Sequence, residues 1–149
     1  MMAWRMSDSS PDDSPTLSVR PLEIGKEADV DVWRIGWVIA NFGSKQAEIF
    51  EAWLPHGRFR GDREAFSPSR VVAAGESTLF YSVVRCSAEP GEIVENAFLI
   101  LRVGFRAREW RVFTRLRIER TSLDSIELAV EKVTVHPVGF LSEKEGRWR

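Results

Sequence analysis

Apolar and polar residues alternate with a period of two along most of this chain, as they do in strands half buried in a sheet. Residues 16–22 place Leu17 and Val19 on one face and reach Pro21, which suits an edge strand. Residues 30–42 form a β-branched and aromatic run. Trp33, Ile35, Trp37 and Ile39 share one face, while Val30, Val32, Val38, Ala40 and Phe42 occupy the other. A strand apolar on both faces is predicted to be central or bulged, with Gly36 marking the bulge. Further strands are predicted over 46–54, 71–74, 76–86, 93–105, 109–119 and 126–135, separated by turn chemistry at Asn41–Gly43, Ala74–Gly75, Glu89–Glu92 and Thr121–Ser125.

About eight strands with no capped helical period predict an all-β fold, because parallel sheets need helical crossovers. The expected architecture is an antiparallel immunoglobulin-like β-sandwich over residues 16–141, with a closed β-barrel as the alternative. The flanking segments read as a disordered leader (1–15) and a frayed tail (142–149). The last hairpin is predicted to pair Ile118 with Ile126, Leu116 with Leu128, Thr114 with Val130 and Arg117 with Glu127, a register that satisfies both faces. Residues 55–70 lack strong strand signal and read as a long loop carrying Arg58, Arg60, Arg63 and Arg70, with Phe59 and Phe66 between them.

Composition narrows the function classes. The 149 residues include six Trp and nine Phe, enough apolar bulk for a packed core. A net charge of −1 gives no global attraction to nucleic acid or an anionic membrane, and neither partner is expected. Cys86 is the single cysteine, so no intramolecular disulfide forms. The opening MMAWRMSDSSPDDSP has no apolar core of a signal peptide, which together with the lone thiol predicts a cytoplasmic location.

Two sequence features are similar to a known family. Trp37-Val-Ile-Ala-Asn41-Phe-Gly43-Ser-Lys-Gln-Ala47-Glu-Ile49 resembles the strand, Asn-x-Gly, strand opening of immunoglobulin-like domains of the CARDB and fibronectin type III kind. Ala74-Gly75-Glu76-Ser77-Thr78-Leu79 resembles their lead-in to the next strand. The resemblance spans roughly residues 30–105 and implies the sandwich fold, not an activity. The chain departs from that family in its additional C-terminal strand. The family's domains are also usually parts of long secreted proteins.

Candidate chemistry is sparse. His56 sits in a Pro-His-Gly turn, His136 precedes Pro137, and no Gly-x-Ser-x-Gly elbow supplies a nucleophile. No metal-ligand spacing and no phosphate loop is present, so neither a metal nor a cofactor is expected. Arg60-Gly61-Asp62 spells an integrin-type tripeptide, which three residues match by chance. A basic strip is the best lead. Residues 102–120 hold seven arginines against Glu109 and Glu119. Arg111, Arg115 and Arg117 share one strand face with Phe113, and Arg102 is on the matching face of the neighbouring strand with Phe98 and Ile100. An arginine-and-aromatic face is common at interaction surfaces, whereas Glu127 and Glu131 would neutralise a merely solvated one. The candidate interaction surface is therefore Arg102, Arg111, Phe113, Arg115 and Arg117, with Arg58 and Arg60 from the 55–70 segment. The expected function is a non-catalytic protein-interaction module, with a protein partner or a second copy meeting Phe98, Ile100 and Phe113. A structural accessory domain is the alternative, and an enzyme with a pocket invisible in sequence ranks below both.

Overall fold

The computed structural model describes residues 13–140. Eight strands follow one another: β1 (Leu17–Lys26), β2 (Val32–Asn41), β3 (Ala47–His56), β4 (Phe59–Val72), β5 (Ser77–Cys86), β6 (Ile93–Phe105), β7 (Arg108–Ser122) and β8 (Ser125–Phe140). They form one antiparallel sheet in the order β1-β2-β5-β4-β3-β6-β7-β8. The groups β1-β2-β5 and β3-β6-β7 form the two halves of the sheet. Here β4 pairs with both halves, and the sheet curls until its edge strands β1 and β8 lie near each other without a hydrogen-bonded register. The all-β, antiparallel expectation is met, in a nearly closed, barrel-like form. Residues 1–12 of the expected leader and the whole expected tail lie outside the described residues.

The inward faces follow the alternation. Trp33, Ile35, Trp37 and Ile39 of β2 pack against Leu99, Leu101 and Val103 of β6 and Val112, Leu116 and Ile118 of β7 in one buried cluster. Strand β2 is central, between β1 and β5. The irregularity expected at Gly36 falls instead in β1, where the register shifts between Pro21 and Glu23. Gly36 has another reason to lack a side chain, since a Cβ there would lie 2.9 Å from the Tyr81 ring. Asn41 is buried and stitches the β2–β3 turn together. Its Nδ2 donates to Lys45 O and Val72 O, both at 2.9 Å, and its Oδ1 accepts from Gly43 N.

Two expectations are corrected. Residues 55–70 are not a loop. His56 pairs with Phe59 across a tight turn, and β4 then runs beside β3 to Val72. The segment reads as a loop because most of β4 is exposed on both faces, which erases the alternation. Strand β4 pairs with β5 only through Phe59↔Cys86 and Arg60↔Arg85. Beyond that point side chains bridge the seam. Phe66 packs edge-on against Phe80 at 5.3 Å, and Arg70 Nη1 donates to Leu79 O at 2.9 Å.

The last hairpin is shifted by two residues from its expected register. Ile118 pairs with Leu128, Leu116 with Val130 and Arg117 with Ala129, and past an irregularity between Arg115 and Leu116 the shift becomes three, with Thr114 opposite Val133. The turn is shorter than the sequence suggests, with Ser122 opposite Ser125 and hydroxyl bonds from Thr121 and Ser122 to Ser125. A slip of two keeps the side chains near the turn on their own faces, whereas past the irregularity the faces of β8 exchange, so that Val133 and Val135 pack against the core and Lys132, Thr134 and His136 face outward. Strand β7 also extends through Arg120, whose side chain is only 3% exposed. Its guanidinium donates to Asp31 Oδ1 (2.5 Å), Ala88 O (2.8 Å) and Leu123 O (2.7 Å), and it lies over the Trp33 ring. A buried charge needs this complete set of partners, and Arg120 thereby ties the ends of three strands together.

Candidate functional site

Strands β3, β6, β7 and β8 turn a second row of side chains away from the core. On β7 these are the odd-numbered residues from Glu109 to Glu119, each partly exposed. Register places Arg102 and Ile100 of β6 opposite Arg111 and Phe113, and places His136, Thr134 and Lys132 of β8 opposite Arg111, Phe113 and Arg115. Glu51 and Trp53 of β3 complete the surface on the other side of β6.

At one end of this face every arginine has a carboxylate partner. Arg102 and Arg111 lie directly opposite each other, an unfavourable cross-strand pair taken alone. Glu109 lies between them, and its Oε2 accepts from Arg102 Nε at 3.2 Å and Arg111 Nη2 at 3.3 Å. Glu51 pairs with Arg102 at 3.4 Å and with Arg63 at 3.1 Å. Arg63 stacks 4.0 Å from the Trp53 ring centroid, Arg111 lies 5.6 Å from it, and Arg102 lies over Phe50. Ile100, expected to leave apolar surface in water, is buried.

The other end differs. Phe98, Phe113 and His136 form a row across three strands, edge to face, with centroid separations of 5.9 and 5.3 Å. These three rings, Arg115, Lys132 and Thr134 line an open groove of about 300 Å³. Arg115 lies directly opposite Lys132. Glu131 approaches Arg115 at 3.4 Å, and Lys132 has no ion-pair partner among the described residues. Thr134 Oγ1 lies 3.1 Å from His136 Nε2, which fixes the ring at the mouth of the groove.

The structure therefore divides the sequence-derived surface. Phe113 and Arg115 line the groove. Arg102 and Arg111 belong to the fully paired end. Arg117 stands further along β7, paired with Glu95 at 3.5 Å and not with Glu127 as expected. Arg58 and Arg60 lie at a separate end of the barrel. Arg58 is held by Glu92 at 2.6 Å, and the N–H of Glu89 and the Arg58 guanidinium together hold the Glu92 carboxyl below its usual range. Arg60 is opposite Arg85 and borders a recess of about 440 Å³ with Asp29, Asp62 and Val83. Lys132, Thr134 and His136 were missed. Their signal was the alternation Lys132-Val133-Thr134-Val135-His136, in which the two valines pack towards the core.

The residues with catalytic potential sit in structural roles. His56 Nδ1 accepts the Arg58 N–H at 3.0 Å within its turn. Cys86 is fully buried, and burial pushes its thiol up, away from the reactive thiolate. Gly61 of the Arg-Gly-Asp tripeptide is buried in β4, and a Cβ on it would lie 3.3 Å from Val83 O. Among the described residues no three metal-capable side chains gather, and no helix is long and apolar enough to cross a membrane. No protein-family model matches the chain, and no curated protein matches it.

Proposed function

We propose that the protein is a non-catalytic protein-interaction module that meets its partner on the outer face of β6, β7 and β8. One observation carries this reading. Two half-buried rings, the exposed His136 ring and an Arg115–Lys132 pair of like charges stand together in a groove. Fold stability gives no reason for that combination. Like charges directly opposite on neighbouring strands cost stability, and aromatic rings in water forgo burial. Aromatic residues with arginine are the side chains enriched where proteins meet. At the adjacent end the same sheet gives each of its arginines a carboxylate partner.

The test is a photo-crosslinking residue placed at Thr134 and, as a control, at Val83 on the far outer face, in the native cell. The reading expects discrete adducts from position 134 that disappear with Arg115→Glu and do not form from position 83. Absence of adducts at position 134, or the same adducts from both positions, would overturn it. An adduct of twice the chain mass would identify the partner as a second copy.

A further inference from the structure

The groove's layout specifies the chemistry of what it takes. We infer that its occupant is an extended segment of a partner protein carrying an aromatic side chain and, two residues away, a carboxylate. This rests on the β6–β7–β8 face being the interaction surface. The groove of about 300 Å³ is at the lower bound of small-molecule pockets and is open along its length. Such a site buries a single anchoring side chain of a larger partner, not most of a free ligand. The rings of Phe98, Phe113 and His136 present edges and faces to an incoming aromatic group.

The charges give the spacing. Arg115 follows Phe113 by two positions on β7, and Lys132 stands two positions from Thr134 on β8. Both cations therefore lie about 6.8 Å along the strands from Phe113 and Thr134 at the middle of the diagonal row, where the aromatic seats, and level with Phe98, which is opposite Arg115. An extended peptide repeats on the same face every two residues, at the same distance. A carboxylate two positions from the seated aromatic thus falls between Arg115 and Lys132. One at the next position points away. Nucleic acid fits less well, because repeated phosphates would meet Glu131 beside Arg115 and then Glu95 beside Arg117 further along β7.

Capped five-residue peptides test this with ¹⁵N-labelled full chain and amide chemical shifts. The probes are Gly-Phe-Gly-Glu-Gly and its reverse Gly-Glu-Gly-Phe-Gly, with Gly-Phe-Glu-Gly-Gly, Gly-Phe-Gly-Gln-Gly and Gly-Ala-Gly-Glu-Gly as controls. At least one of the first two is expected to shift the amides of Phe113, Arg115, Lys132 and Thr134. The glutamine and adjacent-glutamate peptides should bind about threefold more weakly, as for one solvent-facing ion pair. Lys132→Gln, an exposed substitution that leaves the core untouched, should narrow that difference. Equal binding of the glutamate and glutamine peptides, or of the two spacings, would overturn the inference while leaving the interaction face standing. So would a groove that no peptide perturbs if position 134 still crosslinks a partner in the cell. If no peptide perturbs the groove and no crosslink forms, both readings fail together.

Discussion

The two ends of the β3-β6-β7-β8 outer face use the same residue types to opposite effect. At one end Arg63, Arg102 and Arg111 each have a carboxylate partner in Glu51 or Glu109 and lie over Trp53 or Phe50. At the other, Arg115 has Glu131 and Lys132 has no ion-pair partner among the described residues, and the rings of Phe98, Phe113 and His136 stay half covered or exposed. The lesson is that arginine and aromatic content does not mark a surface for binding. What matters is whether the fold has already satisfied it. At the first end, losing a charge should cost stability. At the second, it should cost binding and leave stability level or higher.

The largest expected effect is Glu109→Gln. Arg102 is only 13% exposed, and the substitution leaves two facing guanidinium groups without their shared carboxylate. A loss of about 2 kcal/mol is expected in urea denaturation, the cost of an unpaired, mostly buried charge. A change within about 0.5 kcal/mol, the usual scatter for surface sites, would erase the distinction between the two ends. Phe113→Ala comes next. It removes the middle ring of the row and should cost about 1 kcal/mol, while abolishing crosslinking from position 134. Lys132→Glu should go the other way. It turns a like-charge pair into an ion pair with Arg115 and should raise stability by about 0.5 kcal/mol. Arg117→Gln is the smallest, because Arg117 is outside the groove and its pair with Glu95 is solvent-facing. Stability and crosslinking should both stay at wild-type levels, and a loss of crosslinking would extend the face beyond the groove.

Alternation made the inward faces legible, since Trp33, Ile35, Trp37 and Ile39 announce a core stripe in the sequence itself. What it could not supply was the pairing between strands. The β7–β8 register was read two residues short because the serine hydroxyls that tighten the turn at Ser122 and Ser125 carry no hydrophobic signal. That slip placed Glu127 beside Arg117, and the irregularity between Arg115 and Leu116, which the alternation does not announce, is what brings Lys132 opposite Arg115 in the groove. Strand β4 was invisible for a related reason, being exposed on both sides and so lacking a period. Arg120 looked like part of a basic surface strip. Its burial depends on Asp31 and Ala88, residues distant in sequence that only the tertiary fold brings to it.

Lys132→Glu tests the central claim most directly, because stability and binding should move in opposite directions in one variant. The account predicts a higher urea midpoint than wild type, together with loss of the crosslinked partner at position 134. A lower midpoint would show that the fold uses Lys132 after all. An unchanged partner adduct would show that the cationic end of the groove takes no part in binding.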